Sequence, residues 1–329
     1  IPKRDWSSDV CSSDLTSSII KSMTEQKTAP FRSGFAAVVG RPSVGKSTLI
    51  NSLLHQKIAP VSPRPQTTRR RQLGIYTDEN TQLVLIDTPG IHQPVHKLGE
   101  YMNQTAVETL QDADVILWLV DGSSAPLQED RLVAAYLHEQ PNLSPVVLGI
   151  NKSDQLSEKK LAARREEYTA LYPVQNCIVF SAKTGESVPE VFAALSANLP
   201  EGVKYYDAEQ VTDLYERDIV IDLVREAVLN LLQDEVPHAV GVRLDEYTDE
   251  GETFARIHAT LMVERESQKA IVIGQGGKMI KQIGTLARRE IEALTGRKVY
   301  LELKVKVLKN WRDDPNALRQ LGYFSAKDE

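Results

Sequence analysis

The amino-acid sequence predicts two domains: an α/β domain with a mostly parallel, doubly wound sheet, followed by a smaller α+β domain. Up to about residue 200, short apolar runs alternate with segments of helical spacing, as in a parallel sheet covered by helices. Beyond residue 214, a helix precedes runs in which apolar and polar residues alternate, which is typical of half-exposed strands. The length of 329 residues agrees with two domains, because single cores stop growing near about 250 to 300 residues.

Composition narrows the class of protein. Hydrophobic residues make up 41% and charged residues 26% of the chain, which is typical of a globular protein. The only cysteines, Cys11 and Cys177, predict neither a disulfide framework nor a zinc site, and this favours a cytoplasmic protein. The longest apolar runs, such as residues 115–120, are far too short to span a bilayer. A net charge of −6, taken for the whole chain, argues against a nucleic-acid partner.

Residues 1–31 differ from the rest of the chain. The tripeptide Ser-Ser-Asp occurs at residues 7–9 and 12–14, and the apolar stretch and cleavage site of a signal peptide are absent. Residues 1–15 resemble a translated sequencing adaptor, and the following residues are polar and rich in lysine and serine. We expect this leader to be disordered or artefactual and to have no part in the fold.

A phosphate-binding motif follows the first apolar run, which predicts a buried strand over residues 35–39. The next residues match the pattern G-x-x-x-x-G-K-[ST] and enter a helix predicted over residues 48–55: Gly40, Arg41, Pro42, Ser43, Val44, Gly45, Lys46, Ser47 and Thr48. The glycines let backbone N–H groups approach phosphate oxygens, Lys46 reaches the β- and γ-phosphates, and the Ser47 hydroxyl can bind Mg²⁺. The alternative is a glycine-rich turn that only caps a helix, but the strand before the motif and the helix after it favour the phosphate loop.

A second apolar run, at residues 82–86, ends in four residues that suit a metal and phosphate site: Asp87, Thr88, Pro89 and Gly90. A carboxylate at the carboxyl end of a strand can hold Mg²⁺, and the Gly90 N–H can meet a γ-phosphate. The same residue types also form ordinary turns. Their position one strand after the phosphate loop favours the metal site.

The base is indicated by a loop after the strand predicted over residues 146–150: Asn151, Lys152, Ser153 and Asp154. The Asp154 carboxylate can accept N1–H and N2–H₂ of guanine, Lys152 can lay its alkyl stem over the purine, and Asn151 can tie this loop to the phosphate loop. Adenine would leave the carboxylate unpaired, so guanine is predicted. In isolation such a string could equally be a solvated loop.

A further loop follows a strand predicted over residues 177–180, and its backbone amides can reach guanine O6: Ser181, Ala182 and Lys183. These motifs, in this order on a segment of alternating strands and helices, indicate a P-loop GTPase domain. Residues 62–71, here called the switch segment, are polar and basic and suit a loop that responds to the nucleotide; a solvated basic loop is the alternative. A second switch is expected between Gly90 and Asn103.

The residue after Gly90 bears on hydrolysis. Ile91 stands where many small GTPases carry a glutamine that orients the attacking water, and an aliphatic side chain cannot do so. Backbone groups, a cation or a partner must take that role, and slow intrinsic hydrolysis is expected. His92 and Gln93 are candidate substitutes, although a histidine in a polar loop is more often solvated.

The second domain is predicted as α-β-β-α-α-β. A helix over residues 219–232 precedes two alternating segments, a short helix over residues 268–273, a longer helix and a last strand over residues 299–307. Between the two later helices stands Gly-x-x-Gly, at residues 274–277. Such a loop lets the backbone of single-stranded RNA pass close to main-chain amides.

Positive and negative residues are unevenly distributed along the second part of the chain. Residues 267–312 contain eleven Lys or Arg against three acids, a net of +8, whereas residues 201–266 have a net of −11. A positive edge beside the glycine loop favours RNA binding, and a solvated lysine-rich face is the alternative. The candidate RNA-binding residues are Ile273, Gly274, Gln275, Gly276, Gly277, Lys278, Lys281 and Arg288.

Residues 34–323 resemble the bacterial Era family, which joins a GTPase domain to a type II KH domain. The resemblance rests on the motifs at residues 40–47, 66–69, 87–90, 151–154, 181–183, 272–278 and 309–312. It implies binding of GTP and GDP and Mg²⁺-dependent hydrolysis, with Lys46, Thr68 and Gly90 in the catalytic machinery. Mg²⁺ would be held by Ser47, Thr68 and Asp87, with Thr67 as second choice for the sensing threonine.

The resemblance also implies partners. These are small-subunit ribosomal RNA near its 3′ end and the small ribosomal subunit, whose assembly the protein would assist as a cytoplasmic monomer. Peripheral contact with the inner face of the membrane is reported for relatives, but no amphipathic basic anchor supports it here. Ser43 stands where some relatives use an asparagine to hold a catalytic potassium ion, which argues against potassium activation.

The predicted domain boundaries follow from these motifs. They are a leader over residues 1–31, a GTPase domain over 32–200, a linker over 201–213, a KH domain over 214–312 and a C-terminal tail over 313–329. In the expected switch, GTP and Mg²⁺ order the loops around Thr68 and Gly90 and change how the two domains pack. The alternatives are a GTP-binding membrane or signalling protein without RNA function, and a scaffold that uses GTP only structurally.

Overall fold

The computed structural model describes residues 30–62, 64–251 and 253–323. The leader predicted over residues 1–31 lies outside the described residues except for its last two, and so do the last six residues of the predicted tail. The described chain contains a six-stranded sheet and a three-stranded sheet, each with its own core. The chain therefore has the two-domain organisation that the sequence predicts.

The first sheet is mostly parallel. Its strands β1 to β6 are Arg32–Val39, Gln72–Thr77, Thr81–Asp87, Val115–Asp121, Val146–Asn151 and Asn176–Val179. They lie in the order β2-β3-β1-β4-β5-β6, and only the edge strand β2 runs antiparallel to its neighbour. The prediction of a mostly parallel sheet is confirmed. The local sequence pattern does not predict β2, because Gln72 and Gly74 interrupt its apolar residues.

Helices cover both faces of this sheet. They are α1 to α5: Lys46–Leu54, Lys97–Gln111, Gln128–Glu139, Glu158–Thr169 and Val188–Ala197. Alternate residues of β4 enter opposite cores: Leu117 packs with α1 and α5, whereas Trp118 packs with α2, α3 and α4. This is the doubly wound arrangement, in which every central strand is buried on both faces.

The parallel strands bring their carboxyl ends to one edge of the sheet. Asp87, Asp121 and Asn151 are the last residues of β3, β4 and β5, and the phosphate loop follows β1. In open α/β sheets, ligands bind at this edge. The motifs that lie far apart in the sequence therefore meet there.

The second domain has the predicted order α-β-β-α-α-β. Its elements are α6 (Glu216–Leu231), β7 (Gly241–Asp249), β8 (Phe254–Val263), α7 (Glu266–Ile273), α8 (Lys278–Thr295) and β9 (Lys298–Val307). β8 pairs antiparallel with β7 and parallel with β9, which leaves β9 at an edge of the sheet. The buried faces of α6 and α8 pack on this sheet. A further helix, α9, spans Pro315–Gln320.

The segments predicted as linker and tail are both packed against the domains. In the 201–213 segment, the Val211 carbonyl accepts a hydrogen bond from Ile75 N at 2.9 Å. In the predicted tail, Leu318 and Tyr323 are buried with Leu98 and Met102 of α2. Within the part of the chain that the structure describes, no helix is long and apolar enough to cross a membrane.

Candidate functional site

The phosphate loop joins β1 to the start of α1. A Cβ atom on Gly45, whose φ is +102°, would come within 2.3 Å of Asn151 Nδ2, so the loop requires glycine there. Lys46 Nζ donates hydrogen bonds to the carbonyls of Gly40 at 3.2 Å and Arg41 at 3.1 Å. The ammonium group therefore lies across the loop, beside the backbone N–H groups of the helix start, where a phosphate would bind.

Burial changes the protonation of Lys46. Only 7% of the residue is exposed, and this desolvation lowers the pKa of Lys46 to about 8, although the nearby Asp87 opposes the shift. Phosphate oxygens beside the ammonium would favour its charged form. The loop is therefore built to gain a favourable charge interaction when a nucleotide enters.

The residues predicted to hold Mg²⁺ are brought together. Asp87 Oδ2 accepts hydrogen bonds from Ser47 Oγ at 2.7 Å and from Thr68 Oγ1 at 2.9 Å, and the two hydroxyls are 3.0 Å apart. Thr67, the second choice, instead donates its hydroxyl to the Arg64 carbonyl. The geometry thus favours Thr68 as the sensing threonine, since it alone of the two threonines contacts Asp87.

A buried carboxylate oxygen of Asp87 indicates that a cation could bind at this site. Asp87 is 1% exposed, and its Oδ1 has no hydrogen-bond partner among the described residues. Desolvation raises the pKa of this carboxyl group, and Lys46 opposes the shift. A hard cation with oxygen ligands would compensate the buried oxygen, and Mg²⁺ usually takes one or two protein ligands together with phosphates and water. The residues present therefore fit Mg²⁺.

Lys46, Ser47 and Thr68 line one cavity, which we call the phosphate cavity. Its walls are residues 42, 43 and 45–48 of the phosphate loop, residues 60–62 and 66–68, and Gly90. Gly90 approaches the loop so closely that a Cβ there would lie 2.7 Å from Pro42 Cα. The Gly90 backbone therefore faces the position where a terminal phosphate would lie.

The residues after Gly90 differ from the expectation of a solvated loop. Ile91 is fully buried, so its side chain does not reach the phosphate cavity. His92 is held on both sides: Nδ1 lies 2.9 Å from the Gly90 carbonyl oxygen, and Nε2 lies 3.2 Å from Gln66 Nε2 in the switch segment. Gln93 is exposed, as expected for a polar loop.

The base loop is tied to the phosphate loop as predicted from its residue types. Asn151 Nδ2 donates to the Val44 carbonyl at 2.8 Å, and its Oδ1 accepts from the backbone N of Lys152 and of Ala182. A second cavity adjoins the phosphate cavity here, lined by residues that include Asn151, Lys152, Asp154, Ala182 and Lys183. The predicted base and phosphate residues thus form one continuous cleft.

Asp154 stands ready to accept hydrogen bonds in this cleft. It is exposed, and its Oδ1 accepts the Ser181 hydroxyl at 2.7 Å, which fixes the orientation of the carboxylate. Lys152 Nζ is paired with Asp121 at 2.7 Å, and this contact holds its alkyl stem along the cleft. Asp121 also pairs with Arg41 of the phosphate loop at 3.3 Å. Asp121 is an additional site residue that was not predicted, although its position as an acid at the carboxyl end of β4 could have indicated it.

A second candidate site lies on the KH-like fold. The loop at residues 274–277 has three glycines with positive φ, and nothing lies within 4 Å of a Cβ placed on Gly276 or Gly277. Lys278, Lys281 and Arg288 are exposed on α8. Lys281 and Arg288 also line a groove whose other wall is residues 300–303 of the edge strand β9. Two cations of α8 therefore line the groove, and the open loop at residues 274–277 lies at the N-terminal end of the same helix.

The two sites are connected through the switch segment, which is partly buried rather than solvated. The alternative of a solvated basic loop is wrong for Arg69, which is 1% exposed and donates to the carbonyls of His238 at 2.8 Å and Val240 at 3.0 Å. Arg70 pairs with Asp218 of α6 at 3.1 Å.

Other contacts cross the same boundary. Lys57 pairs with Glu226 of α6 and Glu290 of α8, and the buried amide of Gln72 donates to Asp222 of α6. Sequence reasoning could not find these pairs, because nothing in the local pattern says which partner a charged residue meets.

Comparisons with known proteins agree with both sites. Residues 35–152 match a family described as 50S ribosome-binding GTPase, and residues 235–312 match the KH domain family. The chain is similar to the structure of Era in complex with MgGDPNP and nucleotides 1506–1542 of 16S ribosomal RNA, with 35% identity and a TM-score of 0.85. That match covers 90% of this chain and 100% of the other.

A second solved structure gives the same result. It is a variant of Aquifex aeolicus Era bound to GDP and AlF4⁻, with 35% identity, a TM-score of 0.85, and coverage of 90% of this chain and 100% of the other. The resemblance predicted from the motifs is thereby confirmed. The chain belongs to the Era family of GTPases.

Proposed function

We propose that this protein is a GTP-hydrolysing switch that binds small-subunit ribosomal RNA near its 3′ end and assists assembly of that subunit. One observation carries the proposal: the switch segment that lines the phosphate cavity is also buried against the domain that bears the RNA groove. The Era structure with nucleotides 1506–1542 of 16S ribosomal RNA supports the identity of the RNA.

The nucleotide would bind across the two adjoining cavities. The base would meet Asp154, whose carboxylate can accept two guanine donors, and the backbone N–H of Ala182 lies beside the same cavity. The phosphates would meet Lys46 and the amides of residues 43–47, at the start of α1. Guanine specificity and phosphate binding thus reside on one edge of the sheet.

Mg²⁺ would be held by Ser47, Thr68 and Asp87, where the buried oxygen of Asp87 lacks a partner among the described residues. When bound, the ion supplies positive charge to the β- and γ-phosphates, which eases cleavage of the bond between them. Lys46 and the Gly90 N–H would bind the oxygens on which negative charge grows. These protein groups are in place before the reaction, so they need little rearrangement.

RNA would follow the groove between α8 and β9. The loop at residues 274–277 offers backbone amides without side chains in the way, and Lys278, Lys281 and Arg288 can neutralise phosphates. Tyr300, 44% exposed on the edge strand, also lines this groove, and the Arg256 guanidinium lies 5.1 Å from the centre of its ring.

The proposed switch depends on Thr68 and Arg69, two adjacent residues of the switch segment that contact different parts of the protein. Thr68 would respond to the γ-phosphate and Mg²⁺, whereas Arg69 is bound to the second domain. Loss of the γ-phosphate releases such loops in other GTPases. Nucleotide state would therefore alter domain packing and the access of RNA to its groove.

Location and assembly are also part of the proposal. An RNA partner in the small ribosomal subunit supports a cytoplasmic location, and we expect the protein to act there as a monomer. Peripheral contact with the inner face of the membrane is retained from the family resemblance alone.

The lowered pKa of Lys46 predicts proton uptake on nucleotide binding at alkaline pH. The free protein loses the Lys46 proton as pH rises through about 8, and bound phosphates raise the pKa again. Binding of a non-hydrolysable GTP analogue should therefore take up close to one proton at pH 9 and almost none at pH 7. The affinity for the analogue should fall by up to about tenfold per pH unit above pH 8. Calorimetry in two buffers of different ionisation enthalpy measures this uptake, and equal uptake at the two pH values would contradict it.

The assignment of Asp154 predicts a change of base preference. Asp154→Asn should weaken GTP binding by at least about 100-fold, because two hydrogen bonds to a charged acceptor are lost, and should favour xanthosine triphosphate. Competition binding of the two nucleotides measures the ratio. Asp207→Asn, a change of an exposed carboxylate in the 201–213 segment, is the matched control. Unchanged preference for GTP in Asp154→Asn would refute the assignment.

The RNA groove is tested by a matched pair of glycine substitutions. Gly277→Asp should weaken binding of a single-stranded RNA of the 3′ end by about tenfold at low salt, because the carboxylate faces the phosphate path, and GTP affinity should not change. Gly251→Asp introduces the same residue at a similar φ of +79°, also in open space, but in the β7–β8 turn. Equal RNA affinities of the two variants would place the RNA elsewhere.

A further inference from the structure

The hydrolytic site still lacks an assigned side chain that could orient the attacking water. Ile91 is aliphatic and fully buried, so it cannot contact water in the phosphate cavity. Among the described residues that line this cavity, Gln66 is the only carboxamide. The carbonyl oxygen of a carboxamide can accept a hydrogen bond from water, and the carboxamide does not ionise. Gln66 therefore has the chemistry that position 91 lacks.

The contacts of Gln66 determine which of its atoms is available. Its Nε2 can only donate, so at 3.2 Å His92 Nε2 must be the acceptor, and the ring proton of His92 must be on Nδ1. Nδ1–H then donates to the Gly90 carbonyl at 2.9 Å. Both nitrogens of His92 are thus used, and Gln66 Oε1 has no partner among the described residues.

The backbone of Gln66 is held in a conformation that it would not adopt freely. Its φ is +63°, in the left-handed region, which is unfavourable for a residue with a side chain. Arg225 of α6 donates NH1 to the Gln66 carbonyl at 2.9 Å and NH2 to Asp222 at 2.9 Å. Arg225 is 1% exposed, so these hydrogen bonds are shielded from water, and they come from the second domain.

Taking the proposed GTPase function as given, we propose that Gln66 is a catalytic residue whose Oε1 accepts a hydrogen bond from the attacking water. His92 and Arg225 are positioning residues, which hold the amide and the backbone of Gln66. The water oxygen forms a bond to the γ-phosphorus while the bond to the β–γ bridging oxygen breaks, and that electron pair leaves with GDP. The water proton passes to a phosphoryl oxygen, giving inorganic phosphate.

The role of Gln93 is excluded by the same geometry. Gln93 is exposed and does not line the phosphate cavity, and the other nearby amide, Asn103, is bound to the backbone of His92. Gln93→Leu is therefore a matched control for Gln66→Leu, since both remove one carboxamide from the neighbourhood of the switches.

The test compares single-turnover GTP hydrolysis with affinity for a non-hydrolysable analogue in the full chain. Gln66→Leu should lower the hydrolysis rate about tenfold, the effect of losing one hydrogen bond in the transition state, with unchanged affinity. His92→Phe should also slow hydrolysis, and the double variant should be no slower than Gln66→Leu, because His92 acts through Gln66. Gln93→Leu should hydrolyse GTP like the unmodified protein.

Three results would overturn the inference. One is a Gln66→Leu variant as fast as the unmodified protein, and another is a loss of rate matched by an equal loss of affinity. The third is a double variant in which the two losses multiply. If instead the unmodified protein neither bound nor hydrolysed GTP, the proposed function itself would fail, so the two failures are distinguishable.

Discussion

The burial of Arg69 between the two domains is the constraint on which the rest of the site depends. Its guanidinium binds two backbone carbonyls of the second domain and lies 5.8 Å from the centre of the Trp311 ring. Desolvation lowers the pKa of Arg69, so this position is costly unless its hydrogen bonds are kept. Because Arg69 follows Thr68 directly, fixing one residue fixes the other beside Asp87.

Contacts between the two domains couple the nucleotide site to the RNA-binding domain. Lys57 and Arg70 of the GTPase domain also pair with the second domain, and Arg225 reaches back to the switch segment. Any state of the nucleotide that moves the segment must therefore break or rearrange buried polar contacts. By reciprocity, if the nucleotide changes the affinity for RNA by some factor, RNA must change the affinity for that nucleotide by the same factor.

Much of this could be predicted from the sequence, because local patterns encode local geometry. The phosphate loop and the glycine loop were found from spacing, since a tight backbone approach requires glycine at set intervals. What the sequence did not reveal was long-range: the burial of Arg69, the pairing of Asp121, and the hold of Arg225 on Gln66. The whole-chain net charge of −6 wrongly argued against a nucleic-acid partner. The acidic residues in 201–266 offset the positive charge of residues 267–312, which include α8 and β9.

The central claim is that guanine nucleotide and RNA bind to one coupled structure. The most direct measurement is the dissociation constant for a single-stranded RNA of the small-subunit 3′ end, with the full chain loaded either with a non-hydrolysable GTP analogue or with GDP. The account predicts that the two constants differ by about fivefold or more, with a similar dependence on salt, because the groove is the same and only its access changes. Equal RNA affinity in the two nucleotide states would contradict it.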